Sequence, residues 1–297
     1  MTTTATTLVI GATGTTGSRT AAQLAAAGHH VKATSRRAAT VPGAEPVAFD
    51  WFDPATHAAA VDGVNGIYLV PPVGDPDPAA VMLPFLRQAR AAGVERAVLL
   101  SASAIPEGGP AVGQVHQALP GMFDQWAVLR PSWFLQNFTG GHMHAQTIRD
   151  EGGIWTATGN GRVGFVDAED IAAVAVHALT DEPAPNSDLV LTGPEALAYD
   201  DIATSIGEFT GLPVAHHHLS YEQMRDRLAE QMPLEFAAML AGMDRAVAGG
   251  ADDYITDTVQ RLTGRPAHTF RAVLERERRG ERRRPVGTPA SGARTVW

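Results

Sequence analysis

Short runs of aliphatic and β-branched residues alternate along the first half of the chain with longer, alanine-rich segments of helical periodicity. The apolar run at residues 8–10 predicts a strand, and residues 15–27 predict a helix that Gly28 ends as a left-handed cap. The same alternation predicts further strands at 30–34, 46–49, 66–70, 97–100 and 127–129, and helices at 55–61 and 79–92. This order indicates an α/β fold with a Rossmann-like, doubly wound parallel sheet and right-handed crossovers.

The pattern loosens in the second half. It predicts helices at 134–149, 168–179, 200–209, 221–231, 234–247 and 253–262, and strands at 189–191 and 214–219. We expect a Rossmann domain at residues 1–152 and a smaller, more helical substrate lobe at 153–275, with chain crossings between them. Residues 276–297 are expected to form a basic, disordered tail.

Composition excludes several kinds of function. The 297 residues include no cysteine, which excludes disulfides, thiolate zinc sites, iron–sulfur clusters and a cysteine nucleophile. The net charge of −9 argues against a protein that wraps nucleic acid. The basic run Arg282–Arg284 is interpreted as a frayed terminus in preference to a nucleic-acid or membrane contact.

No apolar run approaches the ~18 residues of a membrane span. Residues 1–7 lack a secretion signal, so we expect a cytoplasmic protein without a membrane partner.

A glycine-rich loop joins the first strand to the first helix; it reads Gly11-Ala12-Thr13-Gly14-Thr15-Thr16-Gly17. Gly11 permits a tight turn, Gly14 lets a diphosphate approach the backbone, and Gly17 lets helix and strand pack closely. The N–H groups at the helix start, around Thr15 and Thr16, then face the phosphates. The loop therefore predicts dinucleotide binding, and a purely structural turn is the alternative.

The end of the second strand indicates which dinucleotide binds. An acid about 20 residues after the loop would hold the 2′-hydroxyl of NAD, but here Thr34 is followed by Ser35, Arg36 and Arg37. A guanidinium can bind a 2′-phosphate through two charge-assisted hydrogen bonds, so NADP(H) is the expected cofactor. Asp50 follows the third strand and is either an acceptor for the adenine amino group or a turn cap.

Two further strand ends should border the nicotinamide, because ligands of open α/β sheets lie outside the carboxyl ends of the strands. The predicted cofactor contacts there are Val70, Pro71, Pro72, Ser101 and Ser103. The two serines have the alternative role of turn caps.

The chain lacks the Tyr-x-x-x-Lys pair of ordinary short-chain dehydrogenases. Its one lysine, Lys32, lies in the second predicted strand, and none of the four tyrosines has a lysine four residues later. That proton-transfer mechanism is therefore excluded.

The sequence resembles the NmrA-like branch of atypical short-chain dehydrogenases, in particular the ergot-alkaloid-type, quinone and triphenylmethane-dye reductases. The resemblance rests on the glycine loop and on residues 129–138, 161–172, 191–195 and 264–266. It implies a Rossmann domain, a small substrate lobe and NADP(H).

The resemblance also places a histidine near the start of the helix after the fifth strand, where this chain has His116. The sequence Gln117-Ala118-Leu119-Pro120 departs from the family's helix, so His116 is either a proton donor or a polar loop residue.

The segment after the sixth strand supplies the predicted substrate pocket, formed by Ser132, Trp133 and Asn137, with Phe134 and Phe138 assigned to the core. Asp167 is expected to cap the next helix, with Asp170 as a capping-box partner. His216 and His218 would share one face of a strand, but no carboxylate is evidently paired with them, so we predict no metal site.

These features predict an NADPH-dependent reductase that transfers hydride to an electron-poor, planar small molecule such as a quinone, an iminium ion or a conjugated carbonyl. The alternative is a non-catalytic NAD(P)-sensing regulator of the NmrA-like type. A sugar-nucleotide epimerase would need the missing Tyr–Lys pair. The oligomeric state does not follow from the sequence.

Overall fold

The computed structural model describes residues 5–283, with side chains described through residue 279. Its strands are β1 (Thr6–Val9), β2 (His30–Ser35), β3 (Glu45–Ala48), β4 (Gly66–Leu69), β5 (Arg96–Leu100), β6 (Gln125–Pro131), β7 (Gly153–Thr156), β8 (Arg162–Val163), β9 (Ser187–Leu191), β10 (Leu197–Ala198) and β11 (Ala215–His218). Its helices are α1 (Thr15–Ala26), α2 (His57–Val61), α3 (Ala79–Ala91), α4 (Gly113–Met122), α5 (Met143–Glu151), α6 (Ala168–Thr180), α7 (Tyr199–Thr210), α8 (Tyr221–Ala229), α9 (Leu234–Ala248), α10 (Thr258–Thr263) and α11 (Phe270–Arg283).

Seven parallel strands form the main sheet in the order β3-β2-β1-β4-β5-β6-β9. The chain builds outward from β1 in one direction as far as β3. It then returns to pair β4 with the other edge of β1 and builds in the opposite direction. This reversal opens a crevice at the carboxyl ends of β1 and β4, which is where doubly wound sheets bind their ligands. The predicted fold class is confirmed.

The alternation of side chains along each strand explains why both faces of the sheet are covered. Leu8 packs into one hydrophobic core with Ile67 of β4 and Phe85 of α3. Its neighbour Val9 points to the opposite face and packs with Leu24 of α1 and Val174 of α6. Because both faces bury aliphatic residues, the strands are continuously apolar, as parallel sheets require.

Residues beyond 152 also contribute to the main sheet; the division into a domain at 1–152 and a lobe at 153–275 stays a prediction. β9 pairs with β6 at the edge of the sheet, and α6 packs beside α1. The remaining strands form two small sheets, β8 with antiparallel β10 and β7 with parallel β11. These pack with α7 and α11 around a third core that includes Phe165, Tyr199 and Phe270.

Three of the predicted elements differ from the structure. Residues 134–149 do not form one helix: a short 3-10 turn at Leu135–Asn137 ends before Gly140, and α5 begins only at Met143. The helix predicted at 253–262 is limited to α10, which starts at Thr258. The predicted tail begins too early, since residues 276–283 continue helix α11; residues 284–297 lie outside the described part of the chain.

The expectation that the helix after β5 is interrupted was also wrong. Helix α4 includes both His116 and Pro120. A proline near the end of a helix removes only one backbone hydrogen bond, so the helix continues to Met122. His116 is therefore a helical residue and not a loop residue.

Within residues 5–283, no helix combines the length and the apolar character needed to cross a lipid bilayer.

Candidate functional site

The glycine loop forms the tight turn that the sequence predicts. Gly11 has a φ of +74° and accepts a hydrogen bond from the N–H of Gly14 at 2.9 Å. A Cβ at Gly17 would lie only 2.3 Å from the carbonyl oxygen of Gly11. The loop and the first turn of α1 can therefore approach each other this closely only because residue 17 has no side chain.

The start of α1 has free hydrogen-bonding capacity for an anion. Gly14 is the N-cap and offers no side-chain cap, and no acidic residue lies in the first turn. The first intrahelical hydrogen bond of the backbone runs from the N–H of Ser18 to Gly14. The N–H groups of Thr15 and Thr16 thus point out of the helix end, where the helix dipole favours a phosphate. The side chain of Thr16 is buried, so only its backbone can contribute, whereas Thr13 is exposed above the turn.

A groove of about 550 Å³ continues from the glycine loop to the end of β2; it is lined by Thr13, Ser35, Arg36, Arg37 and Ala39. Both arginines are exposed, and no carboxylate lines the groove. The hydroxyl of Ser35 accepts a hydrogen bond from the N–H of Ala39 at 2.7 Å, which fixes the loop that holds the two arginines. The charge and shape of this groove fit a phosphate on the adenosine side of a dinucleotide.

Asp50 has a structural contact that favours the turn-cap interpretation. Its carboxylate accepts a hydrogen bond from the N–H of Phe52 at 3.0 Å, an Asx turn, while its carbonyl oxygen lies 2.9 Å from Nε2 of His57. Its contact with an adenine stays a prediction.

The strand ends that the sequence predicted to border the nicotinamide lie together at the carboxyl end of the parallel sheet. Ser101 and Ser103 donate their N–H groups to Leu129 and Pro131 of β6, which aligns the ends of β5 and β6. The Ser101 hydroxyl oxygen is buried without a hydrogen-bond partner among the described residues. A buried polar atom of this kind normally has a partner, and a ligand in the crevice could provide it.

The end of β4 lies at the same carboxyl end of the sheet. Val70, Pro71 and Pro72 are partly buried, and the carbonyl of Val70 accepts a hydrogen bond from the indole of Trp51 at 3.0 Å. Val70 also contacts the loop directly, because a Cβ at Gly11 would meet its Cβ at 3.0 Å. These residues therefore form the wall next to the glycine loop.

The predicted pocket residues have different environments. Ser132 is buried, and its hydroxyl donates a hydrogen bond to the carbonyl of Gly164, which joins two segments of the chain; its place in a substrate pocket stays a prediction. The indole of partly buried Trp133 donates to Asp252 at 3.0 Å. Asn137 is buried in the short turn after β6, and its contact with a substrate stays a prediction. Phe138 packs in the third core, as predicted.

His116 lies deep beside the sheet. Its side chain is buried, and Nδ1 has no hydrogen-bond partner among the described residues. Burial lowers the pKa of His116; the charges of Asp188 and Glu107 partly offset this effect, and Arg130 reinforces it. The imidazole is therefore neutral over most of the physiological range.

The sequence reasoning missed a buried ion-pair cluster at the start of α6. Asp167 caps the helix as expected by accepting the N–H of Glu169. Asp170 is not a capping-box partner, because its carboxylate accepts hydrogen bonds from the N–H of His268 and from Arg265, both at 2.7 Å. Through Asp170 and Asp167, the segment that contains Arg265 and Arg276 is attached to the start of α6. The partners of these carboxylates are Arg265 and Arg276. Each arginine lies about a hundred residues from its partner in the sequence, so local spacing could not reveal the pairing.

Known proteins resemble this chain in sequence and in architecture. A model of a family described as NAD(P)H-binding matches residues 11–182. An uncharacterized oxidoreductase, YesF, of Bacillus subtilis is 43% identical over 87% of this chain and 90% of its own length. Agroclavine dehydrogenase of Claviceps fusiformis is 40% identical over 75% of this chain and 80% of its own length.

Among solved structures, an NADPH-dependent quinone oxidoreductase from Escherichia coli superimposes with a TM-score of 0.76 at 21% identity, covering 91% of this chain and 99% of that one. This similarity shows the shared fold. The sequence relatives confirm the family resemblance and the predicted class of enzyme. The chain belongs to the NAD(P)H-binding family and is an NAD(P)H-dependent oxidoreductase.

Proposed function

We propose that this protein is an NADPH-preferring reductase that delivers hydride to an electron-poor, planar organic acceptor. The observation that carries the cofactor preference is the groove beside the glycine loop, in which two exposed arginines and no carboxylate line the adenosine side. Arg36 and Arg37 would bind the 2′-phosphate, and the free N–H groups at the start of α1 would bind the diphosphate. The cofactor supplies the hydride when bound.

The environment of the two buried tyrosines, Tyr68 and Tyr199, and of the single lysine supports a mechanism without a Tyr–Lys pair. The ammonium of Lys32 donates to the carbonyl of Asp62 at 2.6 Å, at the end of α2. Burial raises the pKa of Tyr68 and of Tyr199, and both side chains are fully enclosed. Neither phenol is placed to exchange a proton with a substrate. Rate enhancement would therefore come from positioning the acceptor against the nicotinamide.

The substrate class is supported by the chemistry of the predicted pocket. The Trp133 indole offers a flat apolar surface held by Asp252, and the buried amide of Asn137 can orient a polar group. Two of the similar proteins are an agroclavine dehydrogenase and an NADPH-dependent quinone oxidoreductase, which supports a planar organic acceptor.

Cofactor titration tests the first part of this proposal. NADPH should bind at least about tenfold more tightly than NADH, since one charge-assisted phosphate contact accounts for about 1.5–3 kcal/mol. Replacing Arg36 and Arg37 together by Ala should remove most of this preference while leaving NADH binding nearly unchanged. Arg87→Ala, an exposed arginine on α3, is the matched control. Equal affinities for the two cofactors would contradict the assigned role of the groove.

An acceptor screen tests the second part. NADPH oxidation is followed with quinones, iminium compounds, azo dyes and triarylmethane dyes. Turnover of at least one of these classes supports the reductase. Tight NADPH binding with no hydride transfer to any of them would favour the nucleotide-sensing alternative.

A further inference from the structure

Three potential metal ligands meet in the second half of the chain, away from the cofactor groove residues. Asp200 at the start of α7 lies beside His216 and His218 of β11. Their ligand atoms all lie within 4.8 Å of one another. Oδ2 of Asp200 is 3.1 Å from Nδ1 of His216 and 3.4 Å from Nε2 of His218.

These separations fit direct coordination of one ion. Zinc binds histidine nitrogen and carboxylate oxygen at about 2.0–2.2 Å, so two ligands at a tetrahedral angle lie roughly 3.3 Å apart. The two measured separations lie on either side of that value. The rings of His216 and His218 are 4.2 Å apart, because alternate residues of a strand point to the same face.

The inner histidine has the support that metal-binding histidines require. The His216 side chain has no exposed surface, and its Nε2 lies 2.7 Å from the hydroxyl oxygen of Thr156. Thr156 in turn lies 2.6 Å from the hydroxyl of Thr158. In the tautomer that carries its hydrogen on Nε2, His216 donates to Thr156 and the lone pair of Nδ1 can bind a metal ion.

The site is accessible and is not neutralised by arginine or lysine. The side chains of Asp200 and His218 are about half exposed, at 49% and 47%, which leaves a path for the ion and a position for water. In the part of the chain whose side chains the structure describes, the Asp200 carboxylate forms its hydrogen bond and ion pairs with these two histidines.

A second cluster of similar composition shows why the lack of an arginine or lysine partner matters for metal binding. Asp167, Asp170 and His268 also bring three ligand atoms within 4.8 Å. There, Arg276 and Arg265 already occupy the two carboxylates at 2.7 Å, so a further cation would be repelled. Of these two clusters among the described residues, the one on β11 has a carboxylate without an arginine partner beside two imidazoles.

We propose that Asp200, His216 and His218 form a zinc-binding site that clips β11 to the start of α7, with solvent completing the coordination. Imidazole and carboxylate ligands in a three-residue set are those that Zn²⁺ accepts, whereas the hard cations Ca²⁺ and Mg²⁺ prefer oxygen ligands alone. This site differs from the predicted absence of metal, because the sequence did not reveal that α7 brings a carboxylate to the histidine pair. It does not depend on the proposed reductase activity.

The test measures zinc on the full chain after chelator treatment and removal of any affinity tag. Calorimetric titration with ZnCl₂ should give one ion per chain. His218→Ala and Asp200→Asn should each weaken zinc affinity by about tenfold or more, and Thr156→Val by about tenfold through loss of the supporting hydrogen bond. Circular dichroism and NADPH binding of the metal-free variants show whether each of them folds.

His217→Ala is the matched control within the same histidine triplet. His217 points to the other face of β11 and stacks on Trp155 at 4.5 Å, so its removal should leave zinc stoichiometry and affinity unchanged. Co²⁺ provides a second measurement, since its visible absorption bands should appear in the wild type and in His217→Ala but not in His218→Ala. The proposal is overturned if the untagged chain binds no zinc, or if folded His218→Ala and Asp200→Asn bind zinc as tightly as His217→Ala does.

Discussion

Arg276 of the last helix donates two hydrogen bonds to the buried carboxylate of Asp167, at 2.7 and 2.8 Å. Burial alone would raise the pKa of Asp167, but the hydrogen bonds and charge of Arg276, with further bonds from Gln136 and Glu169, hold it below the usual value. The pair joins α11 to the N-terminus of α6, which packs beside α1 and hence beside the glycine loop.

Arg276→Ala should lower the free energy of unfolding by about 2–3 kcal/mol, because it removes the guanidinium that donates two hydrogen bonds to a buried carboxylate and leaves Gln136, the N–H of Glu169 and His268 as its partners. Urea denaturation at neutral pH measures this. Because the folded pKa of Asp167 is depressed, the stabilisation is complete above the unfolded pKa of about 3.9 and is lost as the pH falls through the folded pKa. The loss caused by Arg276→Ala should therefore shrink in strong acid.

Arg279 provides a control on the same helix. It pairs with Glu275 at 3.7 Å, and its side chain is 74% exposed. Arg279→Ala should change stability by no more than about 0.5 kcal/mol. If the two substitutions cost the same, the buried pair would not have the importance assigned to it.

The two histidines at the start of α5, the N-cap His142 and His144 in the first turn, should make the protein acid-sensitive. Nδ1 of His142 accepts a hydrogen bond from the N–H of His144 at 3.1 Å, and burial lowers the pKa of His142 to about 4. Burial also lowers the pKa of His144, and the charges of His142 and His216 add to this effect. The unfolded chain thus binds more protons than the folded chain between pH 6.5 and 4, so stability falls as the pH decreases through this window.

His142→Asn should retain the helix cap and remove one titrating group. The loss of stability between pH 6.5 and 4 should become smaller by about 3 kcal/mol. Urea denaturation at several pH values measures the slope. His29→Asn controls for the general effect of replacing a histidine, and an unchanged slope in His142→Asn would show that His142 is not the sensor.

The sheet and the glycine loop could be predicted because their signals are local. An apolar run, a Gly-rich turn and a helical period all occur within about 25 residues, and each specifies one strand, one turn and one helix. The helix predicted at 134–149 failed for the opposite reason. Its apolar spacing is helical, but Gly140 and the preceding turn separate two short elements, and tertiary packing determines where α5 begins.

The partners of charged residues were the least predictable part of the site. The sequence placed His216 and His218 on one face of a strand, but the carboxylate beside them comes from α7, 16 residues away from His216. Arg276 and Asp167 are 109 residues apart. Such contacts depend on how the elements pack, and no periodicity encodes them.

Gly17→Ala should disrupt the cofactor site. The new Cβ would lie 2.3 Å from the carbonyl oxygen and 2.7 Å from the carbonyl carbon of Gly11, so the loop must move. We expect a loss of about 1–3 kcal/mol in stability and at least about tenfold weaker NADPH binding. Gly121→Ala in α4 is the control, since a Cβ there meets no atom within 4 Å and should add up to about 1 kcal/mol of stability. NADPH binding that is unchanged in Gly17→Ala would contradict the diphosphate-binding role assigned to this loop.

His116→Gln should separate proton transfer from hydride transfer. A cationic acceptor becomes neutral when it receives hydride and needs no proton, whereas a quinone needs one. Because His116 is buried, with a lowered pKa and no partner for Nδ1 among the described residues, we expect solvent to supply that proton. The ratio of kcat for a quinone to kcat for a cationic dye should then stay within about threefold of the wild-type ratio, whatever the variant does to stability. A tenfold or larger fall confined to the quinone would instead identify His116 as the proton donor, and the pH dependence of kcat for the quinone would then change in the variant, because the group that donates the proton would be gone.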